Sequence, residues 1–173
     1  EIGGRAIAIS TDVTDSDQVN DLFQKTLEEF GKVDVLLNNA GIVRGQGSMP
    51  IWEITDEDFR AGIDANLTGA FYCSRAVIGS MVENNYGRIL FFTGGGAFAG
   101  PAQRAHVSAA KMGLVGMARS LASEFAPNNI RVNVVSPGSI DTSRAHPEWY
   151  PGGGVPNTDG IPLGRQGSPD EIA

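Results

Sequence analysis

The residues suited to chemistry stand where short apolar runs end. Asp12-Val13, Asn38-Asn39-Ala40-Gly41, Thr93-Gly94-Gly95-Gly96 and Ser136-Pro137-Gly138 each close such a run. Three of the four carry glycine or other small residues, which let a flat ligand lie against the backbone. Turns from strand to helix favour Gly and Asn for their own reasons, but four such ends together point to a binding edge. Metal chemistry finds little footing. Cys73 is the only cysteine, and His106 and His146 are the only histidines. A zinc site would need carboxylates at spacings the sequence does not show.

The elements that would hold these ends read as strands alternating with helices. Arg5–Ser10, Val33–Leu37, Gly87–Thr93 and Ile130–Ser136 are short apolar runs and predict strands. Val19, Leu22, Phe23, Leu27 and Phe30 share one helical face, and Gly31 stops that helix. Thr55-Asp-Glu-Asp58 is a capping signal opening a helix that runs, with breaks, to about Asn84. Ala105 to about Phe125 predicts a long helix. The order β-α-β-α-β-α-β, with strands apolar throughout, predicts a doubly wound parallel α/β sheet, its strands buried on both faces by helices. Residues 139–167 carry Pro, Gly, Trp149 and Tyr150 without periodicity, and read as a functional loop.

Composition narrows the class. The 173 residues are 41% hydrophobic and 19% charged, a globular balance for one domain. The net charge of −7 offers no basic stripe for nucleic acid and argues against anionic membranes. No apolar run is long enough to cross a bilayer. A reducing, cytoplasmic compartment is expected. The chain opens on Glu1, and Ser168-Pro169-Asp170-Glu171 is a helix start next to its end. A fragment of a longer protein is the expectation.

These residues resemble the short-chain dehydrogenases/reductases. The carriers are Asp12-Val13, Asn38-Asn39-Ala40-Gly41, Asn66, Gly87-Arg88-Ile89, Lys111, Ile130-Arg131-Val132-Asn133 and Pro137-Gly138 with Thr142. The resemblance implies a Rossmann-type fold binding NAD or NADP. It implies that Asp12 accepts a hydrogen bond from the adenine amino group while Val13 packs on the ring. Asn38, Ala40 and Gly41 would line the adenosine ribose. Lys111 would hold the nicotinamide ribose. Pro137, Gly138, Ile140 and Thr142 would line the nicotinamide. Asn66 would sit at a helix irregularity and hold a proton-relay water. The whole chain would form a partial dinucleotide-binding domain, lacking two strands, two helices and the phosphate-binding glycine turn before Glu1, and a tail after Ala173. The first strand would then be short of neighbours.

The family's catalytic Tyr-x-x-x-Lys reads here as Val107-Ser108-Ala109-Ala110-Lys111, and its serine position falls on Gly94. Both hydroxyls are missing, while Asn66 and Lys111 remain. Hydride delivery to a ketone leaves an alkoxide that needs a proton, and losing such an acid costs on the order of 10²–10⁴ in rate. Thr93, Ser108, His106 and Tyr150 are the candidate substitutes. Tyr72 and Tyr86 read as core or surface residues, and His146 and Trp149 as possible walls of a substrate pocket. Three readings follow. One is an NAD(P)-dependent oxidoreductase with a non-standard site, reducing a carbonyl or enoyl small molecule. Another is a dinucleotide-binding protein without turnover. The third is a structural subunit pairing through helices 56–84 and 105–126. A homo-oligomer, dimer or tetramer, is expected.

Overall fold

A computed structural model describes residues 4–41, 48–141 and 158–173. Helix α1 spans Ser16–Phe30. The Asp15 carboxylate accepts from the Asp17 and Gln18 amides at 2.9 and 3.1 Å and so caps its first turn. Gly31 ends it at φ 79°, a left-handed conformation that glycine adopts without Cβ strain, and donates its N–H to the Leu27 carbonyl. Strand β1 follows at Val35–Asn38. Thr55 caps α2, Asp56–Ile63, its hydroxyl oxygen accepting from the Asp58 amide at 3.0 Å. The chain then passes through a π-helical turn, Asp64–Thr68, into α3, Gly69–Glu83. After β2, Gly87–Phe92, come the short α4, Gly95–Ala99, and the long α5, Ala105–Phe125. Strand β3 is Ile130–Val135.

The strands form one parallel sheet in the order β1-β2-β3. This is the α/β, Rossmann-type parallel sheet that the sequence predicts. Asn38 stands opposite Phe91 and Phe92 opposite Val135, so the three carboxyl ends lie along one edge. Leu36, Ile89, Phe91, Ile130 and Val132 bury one face against Val19 and Phe23 of α1, Val77 and Met81 of α3, and Leu114 and Ala118 of α5.

The opposite face differs from the sequence expectation. Val35, Leu37, Arg131 and Asn133 are exposed, and Leu90 and Phe92 are half-buried. The strands are therefore not covered on both sides within the described residues. Two crossovers of one hand that step in the same direction put their helices on the same face. A second correction concerns Arg5–Ser10, which forms no strand and is largely exposed. A strand exists only where a neighbour pairs its N–H and C=O groups, and among the described residues none does. Arg5 instead bonds Glu29 and lies 5.6 Å over the Phe30 ring.

The two ends of the 139–167 stretch are tied together. The Asp141 amide donates to the Gly167 carbonyl and the Gly167 amide to the Ser139 carbonyl, both at 2.9 Å, and Gln166 donates to the Ser139 hydroxyl. Arg165 grips the Glu171 carboxylate with two bonds of 2.8 Å, while that carboxylate also accepts from the Ser168 amide. The capping box expected at Ser168 is present, opening a 3-10 turn over Pro169–Glu171.

Two expected outcomes follow from this packing. Met81 is fully buried, so Met81→Ala should cost about 2–5 kcal/mol by chemical denaturation. A cost below about 1 kcal/mol would contradict the core described here. The hydrogen bond from Arg165 holds the Glu171 carboxyl down to about 2 from 4.5. A lowered carboxylate pKa means that the staple contributes fully above pH 4.5 and is lost as pH falls from there toward 2. Amide exchange at Gly167 and Asp141 should be flat from pH 7 to 5, after correction for intrinsic rates, and lose protection only below that.

Candidate functional site

The π-helical turn between α2 and α3 carries Asn66, at the irregularity expected for it. Such single turns recur at functional positions because they redirect a side chain at the expense of a regular bond. Asn66 is 3% exposed. Its Nδ2 donates to the Gly62 carbonyl at 2.9 Å, and its buried Oδ1 accepts no hydrogen bond from the described residues. That oxygen faces Gly41, just beyond the end of β1. A methyl group at Gly41 would stand 2.7 Å from Asn66 Oδ1 and 3.7 Å from Lys111 Nζ. Only glycine admits this approach without displacing one of them.

Lys111 arrives from the second turn of α5. Its ammonium donates to the Phe92 carbonyl at 3.1 Å, at the end of β2. Burial pushes its pKa below the usual lysine value, because the charged form loses solvation. Ends of two strands, one irregular turn and one helix thus bring Gly41, Asn66, Phe92 and Lys111 to one place.

Val107 precedes Lys111 by four residues on α5 and is half-buried, as is Ser108. A side chain added at Gly94 would meet nothing within 4 Å. The Thr93 hydroxyl is turned away toward the Val135 carbonyl at 3.5 Å. His106 is fully buried and packs against Gly62 of α2. Tyr72 packs against the core and its ring lies 5.1 Å under the Arg75 guanidinium, while Tyr86 lies under Arg88 at 4.3 Å. Neither tyrosine is part of the Lys111 cluster.

Other expected residues are held in local structure. The Asp12 carboxylate is exposed and accepts from the Thr14 amide and hydroxyl at 2.9 and 2.8 Å. Val13 presses on Gly69, three residues past Asn66, so its methyls serve α3 packing. Asn38 is buried and donates to the Ser74 hydroxyl at 3.3 Å, tying β1 to α3. The Ser74 hydroxyl in turn donates to the Ala70 carbonyl. Ala40 and Gly138 are exposed and Pro137 is half-buried, all following strand ends. Ile140 pairs with Gly167. Thr142, His146, Trp149 and Tyr150 lie outside the described residues.

Sequence reasoning missed two partners. The Phe92 carbonyl that accepts from Lys111 is a backbone group, which no residue type announces. Ser74 had a signal, a small hydroxyl between Cys73 and Arg75 in the largely apolar α3. Among the described residues no three His, Cys, Asp or Glu side chains gather to hold a metal. Among those residues, too, no helix is long and apolar enough to cross a membrane.

The family model described as enoyl-(acyl carrier protein) reductase matches residues 1–173. A 3-oxoacyl-[acyl-carrier-protein] reductase of Synechocystis sp. is 39% identical over 171 residues, covering 99% of this chain and 66% of the relative. The chain thus spans just under two thirds of that relative's length. A Sinorhizobium meliloti structure described as a short-chain alcohol dehydrogenase superposes with a TM-score of 0.86 at 30% identity, covering 98% of this chain and 67% of the other. NAD+-bound xylitol dehydrogenase superposes with a TM-score of 0.71 at 34% identity, covering 76% and 50%.

The contact at Gly41 makes a sharp comparison. Gly41→Ala should lower stability by about 1–3 kcal/mol, as the methyl forces Asn66 or the strand end aside. Gly94→Ala, entering open space, should stay within about 0.5 kcal/mol of the parent. Equal midpoints for the two variants in urea would refute the close approach at Gly41.

Proposed function

The chain belongs to the short-chain dehydrogenase/reductase family, and from that premise we propose that the protein of which it is part is an NAD(P)-dependent reductase of a small carbonyl substrate. The observation that carries this is the convergence of Gly41, Asn66 Oδ1 and Lys111 Nζ at the carboxyl edge of a parallel sheet. Ligands of open α/β sheets bind at that edge. A glycine pressed against a buried acceptor that has no partner among the described residues, with a half-buried ammonium beside it, fits the hydroxyl-rich ribose of a dinucleotide. The bound dinucleotide would supply a hydride.

The roles of this chain's own residues then follow. Lys111 would hold the ribose hydroxyls nearest the nicotinamide, with Asn66 lending an acceptor. Ala40 and Gly41 would admit the adenosine ribose against bare backbone. Pro137, Gly138, Ile140 and Thr142 would border the nicotinamide. Asp12 would reach the adenine through the carboxylate oxygen not engaged by Thr14, with Val13 beside the ring. The substrate class we propose is a 3-oxoacyl thioester, following the named relatives, with an enoyl thioester as the alternative that the family description supports. Exposed Phe71 on α3 and Met112 on α5 favour helix-to-helix pairing of two copies.

In this reading Val107 and Gly94 occupy the places where the family carries its tyrosine and serine. That favours a second reading, dinucleotide binding without turnover, because neither residue donates a proton to an alkoxide. The fit of a side chain at Gly94 makes both readings testable.

The test uses the full-length protein. NADH or NADPH should give a saturable fluorescence change, and a 3-oxoacyl thioester should be reduced. Val107→Tyr with Gly94→Ser should raise turnover by about 10²–10⁴ if the missing hydroxyls limit the rate. Binding without turnover, gained only in the double variant, would select the second reading. Absence of binding to both dinucleotides would sink both.

A further inference from the structure

Resting on the reductase reading, we propose that Val13 is a positioning residue, linking the adenine end of the cofactor site to Asn66 by pressing on the glycine that closes the π turn. Gly69 is that glycine, and its N–H donates to the Asp64 carbonyl five residues back. That bond is what makes the turn π-helical rather than α-helical. A discrete alternative exists, in which the same N–H bonds the Ala65 carbonyl four residues back, as in a regular helix. Val13 lies against this closing residue. A methyl group on Gly69 would stand 2.9 Å from Val13 Cγ2 and 3.1 Å from both its Cβ and its carbonyl oxygen. Backbone and side chain of Val13 both take part in the contact, and the bare Cα of Gly69 admits it.

The turn is seated on other sides as well. Leu67 packs on Gly113, two residues past Lys111, where a Cβ would meet Leu67 Cδ2 at 2.7 Å. Asn66 meets Gly41 at the end of β1. The Thr68 hydroxyl donates to the Asp64 carboxylate at 3.2 Å. These seats belong to helices or to a strand end held by the core. Val13 differs from them. It is half-buried and follows residues 5–10, which form no strand, and the Asp12 turn to Thr14 carries its backbone. It is therefore the seat that a ligand can tighten. In the cofactor placement proposed above the adenine ring packs on Val13. Filling that site pins Val13 against Gly69 and removes freedom from the π turn. Asn66, three residues before Gly69, then keeps the direction that faces Gly41 and Lys111. Coupling of this kind needs no change of shape, only a loss of motion on binding.

Amide hydrogen exchange on the full-length protein tests this, with 5′-AMP as a probe of the adenine end alone. Saturating AMP should slow exchange at residues 65–69 by at least about threefold more than at Phe91 and Val132, core-strand amides that report general stabilisation by a ligand. Val13→Ala, brought to saturation with AMP, should lose that excess. Val13→Thr, which keeps the branched shape, should retain it. A Val13 that only filled space would speed exchange in Val13→Ala with and without AMP alike, and the excess would survive. The proposal is overturned if AMP binds without excess slowing at 65–69, if Val13→Ala keeps the excess, or if Val13→Thr loses it. Failure of AMP to bind also overturns it, since the adenine then has no place at Val13. Fluorescence titration with NADH judges the reductase reading separately, and saturable binding there leaves that reading standing.

Discussion

Parallel pairing in register governs what this chain can do. With Asn38 opposite Phe91 and Phe92 opposite Val135, the exits of β1, β2 and β3 lie side by side. A slip of one residue would turn Leu36, Ile89 and Val132 off the helix-covered face, so the buried face itself enforces the register. The strand exits inherit that precision. Gly41 therefore meets Asn66 and Lys111 meets the Phe92 carbonyl without a long loop having to find the geometry.

The arrangement places polar groups where water is scarce, and each is compensated locally. Asn38 is bonded to Ser74, and Ser74 to the Ala70 carbonyl. Lys111 gives one donor to Phe92. Asn66 spends its amide nitrogen on Gly62, while its oxygen is the exception, with no partner among the described residues. The π turn is what makes that possible. A regular helix through residues 64–68 would give Asn66 a different direction from the one that faces Gly41. Rigid α2 and α3 on either side, with Leu67 packed on Gly113 of α5, hold the turn against the helix that carries Lys111. The candidate site thus rests on secondary structure rather than on loops, which favours accurate placement of its groups.

Much of the frame was legible because it is local. Asp15 and Thr55 announce helix starts by their side-chain oxygens, and Gly31 ends a helix because it tolerates positive φ. The strand exits declare themselves by their glycines and asparagines. The failures were non-local. Arg5–Ser10 has strand composition, but composition does not supply a neighbour with free N–H and C=O groups. The apolar strands suggested two covered faces, whereas the direction of the crossovers decides which face helices cover. Asp12 and Val13 are not among these failures: a turn with Thr14 and packing on Gly69 hold them locally and leave their reading as ligand contacts open to test.

What the sequence determined by itself was the alternation of strands and helices, their caps, and the residue types gathered at strand ends, including Lys111 without a tyrosine four residues before it. Those follow from periodicity and short-range hydrogen bonding, which act within a few residues. Only the tertiary structure decided that Asn66 Oδ1 has no partner among the described residues and stands near a lysine ammonium, that the Thr93 hydroxyl and the His106 ring are turned to other partners, and that Gly41 must be bare. These depend on distances between segments far apart in the chain, set by the packing of α2, α3 and α5 on one face of the sheet, and residue identity alone carries no record of them.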